Sequence, residues 1–507
     1  MNKKLFILLM VAAYLTACNT FIKTDNRSDY PVEPDDPKID NASWDSVSED
    51  VLYASFVSID DKYAKSVNPD ITRIINSKRV EGWRGERLSA QVLLWTKVDI
   101  KDISIYMGTF QFEDKELPPE SVYSRFVKYV LTDEFGVGCD DSIRDPSKHD
   151  VSLTADMLDT IHCISIPQKT VRPVWITIDI PMDAAAGVYT GDIKINTGQQ
   201  RLHTFNLEIE VIDQLLPNPS EWRIHLDMWQ HPSAVARIHQ LDVWSNEHFT
   251  QMIPLMKMLA NMGQKVITAN LNKDPWNHQC FDAYEDMISW TKNEDESWSY
   301  DYTIFDNWVQ FVMNLGIKDQ INCYSMLPWN NELHYFDAAT DKMVTIKADP
   351  GTNLFKEVWA PFLTDFVAHL KEKNWVDITN IAMDERHPND IDIAVNTIKE
   401  YAPELGISIQ DNHKSYKRYP FIHDMCVGAE MPVEKEDILE RREMGLKTTH
   451  YICCAHKFPN MFTFSDPAEI VYFSWYTAAA DYDGWLHWSF NSWVEDPVND
   501  SRFRTWP

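Results

Sequence analysis

The chain has 507 residues, of which 44% are hydrophobic and 24% charged, and this composition excludes a disordered chain. The length exceeds what one hydrophobic core usually supports, so we expect two or more domains. The formal net charge of −30 argues against a nucleic-acid partner, because phosphate binding requires clustered Lys and Arg side chains.

The first 18 residues have the pattern of a secretory signal peptide. Lys3 and Lys4 precede an apolar run over 5–11, and small residues then lead to Cys18. The pattern resembles the lipobox of bacterial lipoproteins, which implies lipidation of Cys18 and an anchor to a bacterial membrane. We therefore expect an exported outer-membrane lipoprotein, on the periplasmic or cell-surface side. The alternative is an ordinary signal peptide with an incidental cysteine.

Residues 19–45 are polar, with three prolines among acidic residues, and we predict that they form a disordered tether. Seven cysteines remain beyond Cys18, and their spacing matches no zinc motif. A Cys139–Cys163 disulfide stays open, because sequence alone does not fix the pairing. We expect no metal and no cofactor.

Residues 46–216 contain short strand patterns and little helical periodicity, which predicts an N-terminal antiparallel β-sandwich. The candidate strands are Val51–Val57, Leu88–Trp95, Ile103–Tyr106, Val174–Ile180, Tyr189–Ile195 and Phe205–Val211. Pro217 and Pro219 follow the last strand and mark the domain boundary.

Over 217–507 apolar strands alternate with helical segments, which predicts a (β/α)8 TIM-type barrel. An open doubly wound sheet is the structural alternative, but its Gly-rich phosphate turn does not follow the first strand. The eight candidate strands are Trp222–Met228, Lys265–Asn270, Ile321–Met326, Ile378–Met383, Ile407–Gln410, Met425–Ala429, Thr448–Cys454 and Trp485–Phe490.

The fourth of these strands ends on two carboxylates, Asp384 and Glu385. Side chains alternate across a strand, so the two can share a ligand only if the backbone curls at the strand's carboxyl end. The carboxyl ends of barrel strands form the working face of such folds, so we predict that the pair is catalytic. A solvated acidic turn is the alternative for an isolated Asp-Glu pair.

The other strand ends are also polar or aromatic, a lining that suits a polyhydroxylated ligand. The predicted substrate-binding residues are His225, Asn270, Tyr324, Tyr451, Trp485, Trp488 and Asn491. Trp485 or Trp488 is expected to form an apolar wall. Because strict alternation places Trp485 and Asn491 on one face, Trp488 is the weaker candidate.

Several segments together resemble glycoside hydrolase family 123. They are the Asp384-Glu385 pair, Asp483–Trp493, the tail Asp500–Pro507, Gly82–Gln91, Pro173–Pro181 and Gly187–Gly191. The resemblance implies a β-N-acetylgalactosaminidase, and hence a glycan or glycoconjugate with terminal N-acetylgalactosamine as its partner. Proteins that resemble this chain continue beyond Arg-Thr-Trp-Pro, so we expect a barrel that is truncated at its C-terminus.

Two adjacent carboxylates cannot flank a glycosidic bond from opposite sides, as acid and nucleophile must in an ordinary retaining glycosidase. We therefore expect the substrate's acetamide to act as nucleophile, with Asp384 orienting it and Tyr451 donating a hydrogen bond to it. Glu385 is expected to act first as acid and then as base. One alternative is a conventional retaining enzyme that uses Glu430 as nucleophile. Another is a non-catalytic glycan-binding lipoprotein on the cell surface.

Overall fold

The structure is a computed structural model that describes residues 33–48, 51–133, 151–198 and 200–502. The signal peptide predicted over 1–18 with Cys18, residues 19–32 of the predicted tether, and Cys139 lie outside the described residues. Among the helices in the described ranges, none is both long and apolar enough to cross a membrane.

Twelve strands occur in the described residues of the N-terminal part of the chain. They are β1 (Leu52–Val57), β2 (Ser77–Arg84), β3 (Arg87–Thr96), β4 (Ile100–Met107), β5 (Gln111–Phe112), β6 (Lys115–Glu116), β7 (Val122–Asp133), β8 (Val151–Leu158), β9 (Cys163–Ile166), β10 (Thr170–Asp179), β11 (Gly187–Thr197) and β12 (Gln200–Leu215).

These strands form two sheets that share one hydrophobic core. The first sheet has the order β1-β3-β10-β7-β8 and the second the order β2-β12-β11-β4-β9, with β5 and β6 added beside β11. Alternate residues such as Val92 and Val174 of the first sheet and Ile193 and Leu207 of the second are at most 1% exposed and belong to the same apolar cluster. The β2–β12 pairing is parallel, so the second sheet is mixed and not wholly antiparallel as predicted.

A buried ion pair ties residue 33 to the first sheet. Arg172 on β10 donates from Nη1 to Glu33 Oε1 over 2.6 Å and from Nη2 to Oε2 over 2.9 Å, and Lys65 Nζ lies 2.9 Å from Oε2. Trp44, eleven residues further along the chain, is fully buried. Glu33 and Trp44 of the predicted tether are therefore packed against the first sheet. Glu33 has two cationic partners, the buried Arg172 and the half-buried Lys65, that the local composition does not reveal.

Replacing Glu33 with Gln is expected to lower the free energy of unfolding by roughly 3–5 kcal/mol, because it leaves the Arg172 guanidinium buried without its counter-charge. Arg172 and Lys65 outweigh the effect of burial and hold the pKa of Glu33 at about 2, below its ordinary value of 4.5. The stability from this pair is therefore present above about pH 4.5 and lost as the pH falls towards about 2. Urea unfolding of parent and variant at several pH values measures both effects.

The matched control for this substitution is Glu210→Gln. Arg79 Nη2 lies 2.6 Å from Glu210 Oε2, but both side chains are more than a third exposed. Such a pair contributes roughly 0–1 kcal/mol. Equal losses in the two variants would contradict the assignment of Glu33 as a structural anchor.

Between residues 217 and 502, the described part of the second half, the chain contains twelve further strands. They are β13 (His225–Met228), β14 (Val266–Asn270), β15 (Ser289–Lys292), β16 (Trp298–Asp301), β17 (Gln320–Tyr324), β18 (Glu332–Asp337), β19 (Lys342–Lys347), β20 (Thr379–Asp384), β21 (Gly406–Asp411), β22 (Asp424–Gly428), β23 (Lys447–Tyr451) and β24 (Gly484–His487). Seven helices alternate with them: α1 (Pro232–His239), α2 (Asn246–Asn261), α3 (Thr303–Asn314), α4 (Asn353–Lys373), α5 (Pro388–Tyr401), α6 (Lys435–Glu443) and α7 (Pro467–Ala479).

Eight of these strands form one parallel sheet in the order β13-β24-β23-β22-β21-β20-β17-β14, while β15, β16, β18 and β19 form a separate four-stranded sheet. The eight-stranded sheet is nearly closed. At the seam between β13 and β14, side-chain amides replace much of the ladder: Met228 N donates to Gln264 Oε1 over 2.9 Å, and Thr268 N donates to Gln230 Oε1 over 2.9 Å. A β-rich N-terminal part followed by a barrel-like parallel sheet is thus the confirmed form of the predicted fold.

Candidate active site

The carboxyl end of β20 turns sharply between Asp384 and Glu385. Asp384 is the last residue of the strand, and Glu385 has a φ of +46°, in the left-handed region that residues other than glycine rarely adopt. Its amide still donates to Gln410 O of β21 over 3.0 Å, which holds the turn against the sheet. The curl breaks the strand's alternation, so both carboxylates line one cavity. Such backbone strain is characteristic of functional sites.

The Asp384 carboxylate rests on an aromatic cluster. Trp276 Nε1 donates to Asp384 Oδ2 over 2.9 Å, and among the described residues none hydrogen-bonds the second oxygen, Oδ1. The Trp276 ring contacts Trp229 and Tyr324, with ring centroids 4.8 and 5.0 Å apart. Rigid aromatic neighbours therefore fix one oxygen of Asp384 and leave the other for a ligand.

The loops around the pair are pinned by polar side chains. Asp274 accepts from Trp276 N and from His278 N, each over 3.0 Å, and so shapes the turn that presents the indole. On the other side of the pair, Arg386 Nη1 donates to Trp329 O over 3.1 Å. These contacts hold the segments on both sides of Asp384.

The surroundings of Asp384 disfavour its negative charge. Burial raises the pKa of Asp384 well above its usual range, and the neighbouring Glu385 carboxylate adds to this effect. The Trp276 indole and the Arg386 guanidinium act in the opposite direction, but they are the weaker influences. When it is ionised, the carboxylate is therefore poorly solvated, and it would interact strongly with a nearby positive charge.

Glu385 is exposed in the cavity and has one partner in the barrel. The hydroxyl of Tyr451, at the end of β23, donates to Glu385 Oε1. Burial, and then the Glu385 carboxylate, raise the pKa of Tyr451, so the phenol stays protonated and remains a donor. Tyr451 thus lines the cavity beside the carboxylate pair, and its predicted hydrogen bond to the substrate's acetamide stays a prediction.

A cavity of about 720 Å³ opens above the pair. Trp229, Trp329, Tyr451, Leu486 and Trp488 line its inner end together with the two carboxylates. This volume lies within the roughly 300–1,000 Å³ that is typical of ligand sites, and the few polar groups in an aromatic lining are typical too.

The two tryptophans near the eighth strand lie on opposite sides of it. Trp488 lines the cavity, whereas Trp485 packs outward against Phe473 of α7, with ring centroids 5.7 Å apart. Leu486 and Trp488 face the barrel mouth, so the order of preference predicted for Trp485 and Trp488 is reversed. Asn491 is also outside the cavity lining: it donates to His231 O over 2.8 Å and accepts from His231 N over 2.9 Å.

The remaining three predicted binding residues do not line the cavity either. His225 is the first residue of β13, at the opposite end of the barrel, and its Nε2 lies 3.2 Å from Asp424 Oδ2. Asn270 uses its amide on Tyr284 O and Glu285 O, each over 3.2 Å. Tyr324 is 1% exposed and lies behind Trp276, where it supports the site without reaching the cavity.

Glu430, the alternative nucleophile, is placed outside the cavity lining. Its side chain is 48% exposed, and its Oε2 lies 2.7 Å from His456 Nε2. A carboxylate in this position does not face Glu385 across the cavity. The geometry therefore disfavours a conventional double displacement that uses Glu430.

Trp276 and Trp229 were missed by sequence reasoning. Both follow barrel strands, Trp229 directly after β13 and Trp276 six residues after β14. Asp274-Pro275-Trp276 is a turn sequence, and such a turn after a barrel strand is the signal that points to the working face. With 19 tryptophans in the chain, residue type alone does not select these two.

Comparison with protein families gives two matches. The model "Glycoside hydrolase 123, catalytic domain" matches residues 229–507, and the model "Glycoside hydrolase 123 N-terminal domain" matches residues 56–197. No protein of curated function matches the chain.

Among solved structures, a family 123 glycoside hydrolase from Clostridium perfringens, described for glycolipid glycan hydrolysis, is 29% identical. The match covers 90% of this chain and 81% of that one, with a TM-score of 0.81. A family 39 glycoside hydrolase from Bacteroides cellulosilyticus (13% identity, 79% and 78% coverage, TM-score 0.33) and a Bacteroides ovatus GH5 xyloglucanase (10%, 84% and 95%, 0.30) are too dissimilar to support an argument.

Proposed function

The chain belongs to glycoside hydrolase family 123, and we propose that it removes β-linked N-acetylgalactosamine from glycans by a retaining mechanism in which the substrate's acetamide is the nucleophile. The similarity to an enzyme described for glycolipid glycan hydrolysis supports a glycan substrate. The observation that carries the mechanism is the turn at Glu385, which brings two adjacent carboxylates into one cavity. Glu430 is not part of the lining of that cavity.

In the first half of the reaction, the acetamide carbonyl oxygen attacks the anomeric carbon while Glu385 gives its proton to the glycosidic oxygen. The bond to the leaving sugar breaks, and a cyclic oxazolinium forms. Asp384 accepts a hydrogen bond from the amide N–H at the oxygen that Trp276 leaves unoccupied. Its poorly solvated charge offsets the positive charge that develops on the ring.

In the second half, the Glu385 carboxylate takes a proton from water as the water oxygen attacks the anomeric carbon. The oxazolinium opens, the acetamide is restored, and Glu385 is protonated again. Two displacements at one carbon give net retention of configuration. The Tyr451 hydroxyl, bonded to Glu385 Oε1, keeps that carboxyl group in one orientation through both halves.

The sugar specificity is tested by the release of 4-nitrophenol from the β-N-acetylgalactosaminide and the β-N-acetylglucosaminide of 4-nitrophenol. We expect hydrolysis of the first, with a kcat/KM well above that for the second. Faster hydrolysis of the N-acetylglucosaminide would overturn the sugar assignment but leave the mechanism intact. No release from either compound would overturn the proposed activity.

A further inference from the structure

The cavity above the carboxylate pair extends from the barrel to the N-terminal β part of the chain. Thr132 of β7 and Asp156 and Met157 of β8 line the same cavity as Asp384 and Glu385. We propose that this far end is a subsite for a neutral sugar on the leaving-group side of the cleaved bond. The inference rests on the proposed function, because it places terminal N-acetylgalactosamine at the carboxylate pair.

Segments from both halves of the chain hold the far end together. Leu131 N of β7 donates to Asn499 O over 2.8 Å, and Ser501 N donates to Leu131 O over 2.8 Å. The N-terminal half makes a second contact of this kind, in which the Lys62 ammonium donates to Thr463 O in the loop between β23 and α7. The wall is therefore built at the junction of the two halves and is fixed by backbone hydrogen bonds.

The loop between β23 and α7 is itself anchored close to the catalytic pair. Asn460 is 4% exposed, and its amide donates to Cys453 O over 3.0 Å and to His456 O over 2.8 Å. This loop begins directly after Tyr451, the partner of Glu385. The loop thus runs from the inner end of the cavity to its far end, and hydrogen bonds within the loop hold its conformation.

Asp156 is the acidic group at the far end. Its side chain is exposed in the cavity, and within the described ranges no residue hydrogen-bonds its carboxylate. A carboxylate in this state accepts hydrogen bonds from two neighbouring hydroxyls, and such charge-assisted bonds are stronger than neutral ones. Burial raises the pKa of Asp156, and the charge of the neighbouring Lys62 opposes this rise. The net charge of the chain, −30, disfavours an acidic sugar, so the class of ligand is neutral and polyhydroxylated.

Aromatic faces complete the pattern at the same end. Phe462 and Phe464 line the cavity and stack on each other, with centroids 5.1 Å apart and planes inclined by 21°. Flat aromatic faces suit the C–H faces of sugar rings, whereas the carboxylate suits their hydroxyls. The combination distinguishes a sugar subsite from a site for a wholly apolar group.

The subsite is tested with two substrates of the full-length protein, 4-nitrophenyl β-N-acetylgalactosaminide and lactose that carries a β-linked N-acetylgalactosamine. Asp156→Ala is expected to lower kcat/KM for the trisaccharide about 10-fold, the loss of a hydrogen bond to a charged group. The value for the 4-nitrophenyl compound should stay unchanged. Asp183→Ala, an exposed acid of the same half outside this cavity, is the control and should alter neither value.

Binding measurements test whether the subsite exists without depending on turnover. Titration calorimetry on the Glu385→Gln protein is expected to show about 10-fold tighter binding of the trisaccharide than of free N-acetylgalactosamine, and added Asp156→Ala should remove that gain. Equal affinities for the two sugars, or equal losses for both substrates in the kinetic test, would overturn the subsite. Absence of 4-nitrophenol release from the parent protein would refute the proposed function alone.

Discussion

Replacing Glu385 with Gln is expected to lower kcat/KM for N-acetylgalactosaminides by roughly 10²–10⁴-fold, the range for loss of a general acid–base group. The loss should be larger for a sugar leaving group than for 4-nitrophenolate, because the poorer leaving group depends more on proton donation. Steady-state kinetics on both substrate types measures the difference. The Glu385 carboxyl group is exposed in the cavity and is held by the Tyr451 hydroxyl, so it can reach the glycosidic oxygen.

Added azide provides the control for this variant. Azide attacks the anomeric carbon without a base, so it should restore turnover of the 4-nitrophenyl substrate and give the β-glycosyl azide as product. Glu430→Gln is the matched variant, since Glu430 is a half-exposed carboxylate outside the cavity lining, and it should remain close to the parent. A larger loss in Glu430→Gln than in Glu385→Gln would contradict the assignment.

The barrel elements could be predicted from the sequence because strand and helix periods alternate clearly. The helical segments predicted between the first two barrel strands include α2, which begins after Ser245 because that side chain caps it, accepting from His248 N over 3.2 Å. The strand predicted over Ile378–Met383 is β20, displaced by one residue. Asp384 and Glu385 were therefore placed correctly at a strand's carboxyl end.

The substrate-binding residues were harder to predict, because position at a strand end does not decide what a side chain contacts. Asn270 ends β14, but its side-chain amide donates hydrogen bonds to two backbone carbonyl oxygens and is not available to a ligand. The side chain of Asn491 is likewise hydrogen-bonded to the backbone of His231. Trp485 faces outward because side chains alternate along the eighth strand and Leu486 takes the inward position. The contacts that decide these cases are distant in sequence.

The buried contact of Glu33 could not be predicted either, because its partner is also distant in sequence. Its segment is polar and contains prolines, a composition typical of a tether, yet its partner Arg172 lies 139 residues away. Likewise, the hydrogen bond from Trp276 to Asp384 spans 108 residues. The proposed lipidation of Cys18 stays a prediction, because it falls outside the described residues.

The second large effect concerns the substrate's acetamide. Without this group, as in 4-nitrophenyl β-galactoside, kcat/KM is expected to fall by on the order of 10⁵-fold or more, because a positioned internal nucleophile has an effective molarity of about 10⁵–10⁸ M. Among the described residues, the only carboxylate that lines the cavity besides the pair is Asp156, on the N-terminal half of the chain, and Glu430 is not part of the lining.

The most direct test of the substrate-assisted mechanism is kcat/KM across 4-nitrophenyl β-galactosaminides whose N-acetyl group carries zero, one, two or three fluorine atoms. Fluorine withdraws electrons from the carbonyl oxygen and weakens it as a nucleophile. We expect kcat/KM to fall steadily along the series, with the galactoside slowest of all. A flat series, or appreciable hydrolysis of the galactoside, would contradict attack by the acetamide.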